Sequence, residues 1–226
     1  MMRPCRSNAA FTLLELIVVI GLVAGLTLMI AGGVAGGGRT AALQSAQASV
    51  ANLLTTARLQ AMATGNTMRV LVQQDSAHPL AAERYLRVLT LEELRAGVWE
   101  TRQVIALPAG VHLLPHQNQA PANLFGAAGP WLKVDGSVLH SSALFRPPVN
   151  RAVDSPLAEN WAELWFSPLG TTPTAGFIVL GLGRPEPPAA GAGGLSPIGL
   201  HNPDAAVGLQ LTSYGLTLFI NDRAGF

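Results

Sequence analysis

Cysteine is nearly absent from this chain. Cys5 stands alone, which excludes a disulfide framework and a multi-cysteine metal site. A lipid-modified cysteine follows an apolar export segment, because the acyl chain replaces that segment as the anchor. Cys5 precedes the long apolar run, so no lipid anchor is expected there. Charge is scarce too: 12% of residues are charged and the formal net charge is +1. Nothing marks a nucleic-acid polyanion as partner. The five histidines, His78, His112, His116, His140 and His201, are scattered. His112 and His116 have i, i+4 spacing, but Pro115 breaks the helix needed to aim both rings at one metal. No Gly-Lys-Ser/Thr phosphate loop and no Gly-x-Ser-x-Gly elbow occurs. Gly181-Leu182-Gly183 lacks the third glycine and following helix of a dinucleotide loop, and Asp135-Gly136-Ser137 reads as turn chemistry. Trp131, Trp161 and Trp165 have no lysine or arginine cluster beside them in the chain and read as core or edge cover. No catalytic residue, cofactor or metal is expected, and the chain does not read as an enzyme.

What the chain has in quantity is apolar surface. Hydrophobic residues make up 49% and mean hydropathy is +0.35, unusual for a soluble globular protein and suggestive of a membrane segment. Residues 1–10 are short and polar, with Arg3 and Arg6. Residues 11–31 are apolar with one charge, Glu15. As a helix at about 1.5 Å per residue this run spans roughly one hydrocarbon core. The arginines before it keep its start on the cytoplasmic side and leave the rest of the chain across the inner membrane. A secretory signal peptide has a shorter apolar stretch and a small-x-small site after it; Ala31-Gly32-Gly33 is the place such a cut would fall.

Glu15 is the unusual residue. A carboxylate one turn into a membrane helix costs about 2.5–3.5 kcal/mol on insertion scales. Either it snorkels to the headgroups, or a partner charge meets it. A new N-terminus at Phe11 would supply a cationic amine four residues away, and the two charges could neutralise each other within or between helices. Ala10-Phe11-Thr12-Leu13-Leu14-Glu15, followed by Leu16-Ile17-Val18-Val19-Ile20, resembles the class III signal of type IV prepilins and type II secretion pseudopilins. The resemblance implies cleavage between Ala10 and Phe11 by a prepilin peptidase, N-methylation of Phe11, and pairing of Glu15 with the amine of a neighbouring subunit during assembly. Ala10 stands where the family usually has glycine, a departure that bears on processing rate. The implied partners are the peptidase, other pilin or pseudopilin subunits and an inner-membrane assembly platform. After cleavage, the chain would carry 12 basic residues (14 less Arg3 and Arg6) against 13 acidic ones.

Residues 32–38 hold five glycines, each costing a helix about 1 kcal/mol relative to alanine. They read as a joint where the spine bends, thins or melts, or as a small-residue packing face. Over 39–65 helical periodicity returns, with Leu43, Ala46, Val50, Leu53, Leu54, Ala57, Ala61 and Met62 on one stripe, Gln44, Ser45, Gln47, Ser49, Asn52 and Arg58 on other faces, and Gly65-Asn66 as the stop. Strand patterns follow at 68–72, 84–91, 98–100, 103–107, 111–114, 163–166, 176–180, 208–212 and 216–220. Ser213-Tyr214-Gly215 connects the last two as a hairpin. Residues 117–130 and 183–203, rich in Pro, Gly, Ala and Asn, read as exposed loops. The predicted fold is α+β: a long N-terminal helical spine, transmembrane in its first half, packed on an antiparallel β domain over 66–226. Leu164-Trp165-Phe166-Ser167-Pro168-Leu169-Gly170 and the closing hairpin resemble the H-type minor pseudopilin domain. The functional expectation is a minor pilin- or pseudopilin-like structural subunit; the alternative is an inner-membrane-anchored periplasmic binding module that does not assemble.

Overall fold

The computed structural model describes residues 13–226 apart from 121–123, 126–128, 143–144, 154–155, 187–195 and 197. For 13–19, 21, 23–37, 82 and 147 it describes the backbone only. The chain divides into two compact units, Met1–Thr40 and Ala41–Phe226.

Helix α1, Leu13–Thr64, contributes to both units. In the first unit its backbone stays helical through 32–38, the glycine-rich stretch read as a joint. Ile20 and Leu22 are exposed. No helix among the described residues is long and apolar enough to cross a membrane; apart from Ile20 and Leu22, the side chains of the expected span lie outside the described residues.

In the second unit α1 buries one stripe. Leu43, Ala46, Val50, Leu53, Leu54, Ala57 and Ala61 are all at most 3% exposed, at the spacing the sequence set. Two assignments on this helix need correction. Met62, placed on the stripe, is 50% exposed and lies against the turn at Gly170 instead of in the core. Gln47, placed off the stripe on another face, is buried: its Nε2 donates to the carbonyls of Gly208 at 2.7 Å and Ile220 at 2.8 Å. Gly65 ends the helix with φ +68°, a conformation glycine adopts without a Cβ clash.

Among the described residues ten strands make two antiparallel sheets, so the fold is α+β. The first has the order β3-β2-β1-β6-β5, from β1 (Met68–Gln73), β2 (Val88–Arg95), β3 (Val98–Ala106), β5 (Arg146–Arg151) and β6 (Glu159–Phe166). The second has the order β10-β9-β7-β4, with β8 also on β7; its strands are β4 (Val111–Leu113), β7 (Gly176–Pro185), β8 (Ile198–His201), β9 (Val207–Leu211) and β10 (Thr217–Ile220). Residues 41–64 of α1 pack on both. One core joins Val50, Leu54 and Ala57 to Val70 and Leu164 of the first sheet and to Leu180 and Leu209 of the second.

The outer faces are covered too. Leu71, Val88, Val153 and Trp161 pack together outside the first sheet. Tyr85, Leu86, Leu114, Trp131, Val179 and Leu200 do so outside the second. This second cluster explains a correction. Residues 84–91, read as one strand, begin instead as the end of a helical turn, α2 (Ala81–Arg84). Leu86 then sits at φ +57°, held by its amide donating to Gln73 and by its carbonyl accepting from Leu113. Only from Val88 does the chain join a sheet. Strands β5 and β8 had no counterpart in the sequence reading, and β8 lies inside the 183–203 stretch read as loop. The 98–100 and 103–107 patterns are one strand, β3.

Candidate functional site

Ala10 and Phe11, the expected processing site, lie outside the described residues. Glu15 has helical backbone within α1; its side chain is outside the described residues. The structure therefore neither brings these residues together nor separates them.

A different constellation forms on the outer face of the first sheet. Met68, Val70 and Val72 of β1 enter the core between sheet and helix. The period of two therefore turns Arg69 outward, where its cross-strand neighbours are Glu92 on β2 and Trp165 on β6. Arg69 is 4% exposed, and Glu92 and Glu163 are 0% and 5% exposed. Burial on that scale is tolerable only with paired charges, and the pairing is dense. Arg69 Nε donates to Glu92 Oε2 at 2.8 Å and Nη1 to Glu163 Oε2 at 2.6 Å. Arg151 from β5 reaches Glu92 Oε1 at 3.1 Å. The Trp165 indole N–H donates to Glu163 Oε2 at 2.9 Å.

Aromatic rings roof this network. The Arg69 guanidinium lies 4.0 Å from the Trp99 ring centroid, and Trp99 meets Trp165 edge-to-face at 5.2 Å. Arg146, at the start of β5, places its guanidinium 4.3 Å from the Trp165 centroid. The register of β5 against β6 shifts between Arg146 and Val149, across Pro147-Pro148. Arg102 pairs with Glu93 and Glu100. Glu93 is held below its ordinary carboxylate pKa, first by the Asn66 side-chain N–H that donates to it at 2.6 Å, then by Arg102, against the opposing effect of burial. Among the described residues, Arg146 has no carboxylate partner.

Beside Arg146 and Trp165 the sheet opens into a cleft of about 270 Å³, bounded by Thr67, Phe166, Pro168 and Pro173. Its floor is the turn after β6, where Ser167 Oγ accepts from the amides of Leu169 and Thr171 and Gly170 takes φ +73°. A Cβ at Gly170 would come within 2.8 Å of Met62 Sδ, so glycine there serves both the turn and its seat on α1. The arginines that accompany Trp165 come from β1 and β5; no cluster is visible in the linear chain. The aromatic-Pro-Gly turn was the one part of this site visible in sequence.

The histidines sort differently from their spacing. His112 is buried on β4 with Nδ1 3.1 Å from the Tyr85 carbonyl; burial pushes its pKa down to about 4. His116 packs against His140 instead, ring centroids 4.8 Å apart. Its pKa is lowered by desolvation and then by His140. Among the described residues no three of His, Cys, Asp or Glu are grouped as a metal ion would require.

No family model, no curated protein and no solved structure matches this chain.

Proposed function

We propose that this chain is a minor pilin- or pseudopilin-like subunit, structural and not catalytic. Residues 11–31 anchor it in the inner membrane with its start in the cytoplasm and residues 66–226 in the periplasm. A prepilin peptidase cuts between Ala10 and Phe11, Phe11 is N-methylated, and an assembly platform adds the subunit to a type IV pilus or type II secretion pseudopilus.

One observation carries this reading: Glu15 is the single charge in the 11–31 run, four residues beyond the start that cleavage would create. A buried carboxylate needs a partner, and a freshly exposed amine is the partner this layout supplies. The packing of α1 against antiparallel sheets supports it, since a filament subunit needs a rigid domain attached to its assembly helix. The groove beside Arg146 favours a second reading, a membrane-anchored binding module.

Mass spectrometry of the N-terminus from native membranes separates the two. Methylated Phe11 is the expected result; an intact Met1, or a cut near Ala31, removes the filament reading. The companion variant is Glu15→Val. It relieves about 2.5–3.5 kcal/mol of insertion cost, so membrane insertion holds or improves while filament incorporation, scored by shearing and immunoblot, is lost. Undiminished incorporation would refute the pairing of Glu15 with an amine.

A further inference from the structure

We propose that the cleft between Trp165 and the Ser167–Pro173 turn is a peptide-binding site that takes an extended acidic segment of a partner polypeptide, one carboxylate on Arg146 and a neighbouring apolar side chain against Trp165 and the prolines. The proposal concerns the β domain alone and holds under either reading of the N-terminus.

The first argument is the state of Arg146. The arginines around it are spoken for: Arg69 by Glu92 and Glu163, Arg151 by Glu92, Arg102 by Glu93 and Glu100. Arg146 is exposed, and its planar group lies over the Trp165 ring. A guanidinium held against an aromatic face keeps its N–H donors free for an anion. A carboxylate accepts from such donors bidentately. The ring below also fixes the guanidinium, so little side-chain entropy is lost on binding.

The second argument is shape and lining. The cleft is small, about 270 Å³, room for one or two side chains and not for a folded partner. Pro168 and Pro173 lack amide donors and, with Trp165, give carbon walls, so an apolar side chain fits beside the cation. Thr67, Ser167, Thr171 and Thr172 supply the uncharged polar part of the lining. The floor is pre-formed: Ser167 Oγ also lies 2.7 Å from Thr171 Oγ1, and the Gly170 amide donates to Ser167 O.

The third argument decides against a nucleic acid strand. Arginine beside tryptophan also suits stacked bases, but a phosphate chain gains its affinity from several uncompensated cations. On this face Arg69 and Arg151 are paired with Glu92 and Glu163, and Arg146 alone among the described residues there is left without a carboxylate. One unpaired cation matches one carboxylate.

The test uses the full chain in detergent. Phage-displayed random heptapeptides are panned on the wild type and on Arg146→Gln. Peptides recovered on the wild type should carry Asp or Glu next to Leu, Phe or Pro, and Arg146→Gln should not recover them. The most enriched sequence, made as a blocked peptide, should shift the Trp165 indole resonance. Its affinity should fall about tenfold when its acidic residue becomes the amide, and by a similar factor in Arg146→Gln. Unchanged circular dichroism and unfolding midpoint in Arg146→Gln show that the fold is kept. Trp165→Leu is a second variant with the same expected loss. Failure to enrich any peptide, equal recovery on both proteins, indifference to the carboxylate, or Arg146-dependent binding of oligothymidylate in place of peptide would each overturn the proposal.

Discussion

Arg69 shows what a single residue can carry in this fold. It is 4% exposed at the centre of a five-stranded sheet, between two carboxylates that are themselves buried. Buried ion groups contribute little net stability when compared with an apolar core, yet breaking one by removing a single partner is costly. Arg69→Met keeps length and packing and leaves Glu163 with the Trp165 indole and Glu92 with Arg151. We expect a loss of about 3–5 kcal/mol in urea unfolding, with Arg69→Met/Glu92→Leu/Glu163→Leu recovering much of it. A single variant within about 1 kcal/mol of wild type would mean the carboxylates rehydrate freely. None of this was legible in the sequence. Arg69 lies 23 residues from Glu92 and 94 from Glu163, and only strand pairing brings them together.

The elements divide by how local their causes are. The second half of α1 was readable because a 3.6-residue stripe and a terminal glycine are properties of adjacent residues. The closing hairpin was readable for the same reason, and Gly215 takes φ +71° there. Strand β5 was missed because Pro147-Pro148 conceals a strand, and a sheet edge tolerates what a central strand cannot. Strand β8 was missed because its partner is the far end of β7 and its surroundings are rich in glycine. Gln47 was misplaced because a helical wheel does not reveal that two strand carbonyls point at that face. Its amide is the polar clip between α1 and β9–β10. Gln47→Leu would remove the side-chain donor that the carbonyls of Gly208 and Ile220 share, at a cost of about 1–3 kcal/mol. Gln44→Leu, on the exposed side of the same helix, should change stability by less than about 0.5 kcal/mol. Equal effects of the two in chemical denaturation would show that the clip contributes nothing.

At the scale of the whole β domain, the two sheets differ in what acid does to them. On the first, Glu93 has its pKa held down by donors. That stability is present above the unfolded carboxylate range and is lost only below about pH 4.5. On the second, His112 is buried neutral, with a folded pKa of about 4 against 6.5 unfolded. The unfolded chain therefore takes up the proton first. His112's contribution is complete above about pH 6.5 and drains away as pH falls toward 4, amounting to about 2 kcal/mol by pH 5. His116, lowered in the same sense, adds to the slope in that window, so the wild-type curve alone does not assign it. His112→Asn keeps an N–H that can donate to the Tyr85 carbonyl but cannot take a proton. Unfolding of the full chain in detergent at about pH 7 and about pH 5, followed by tryptophan fluorescence, should show a clear loss for the wild type and a shallower one for His112→Asn. Parallel slopes in the two proteins would place the acid sensitivity elsewhere, and the neutral histidine between β4 and Tyr85 would then be no more than packing.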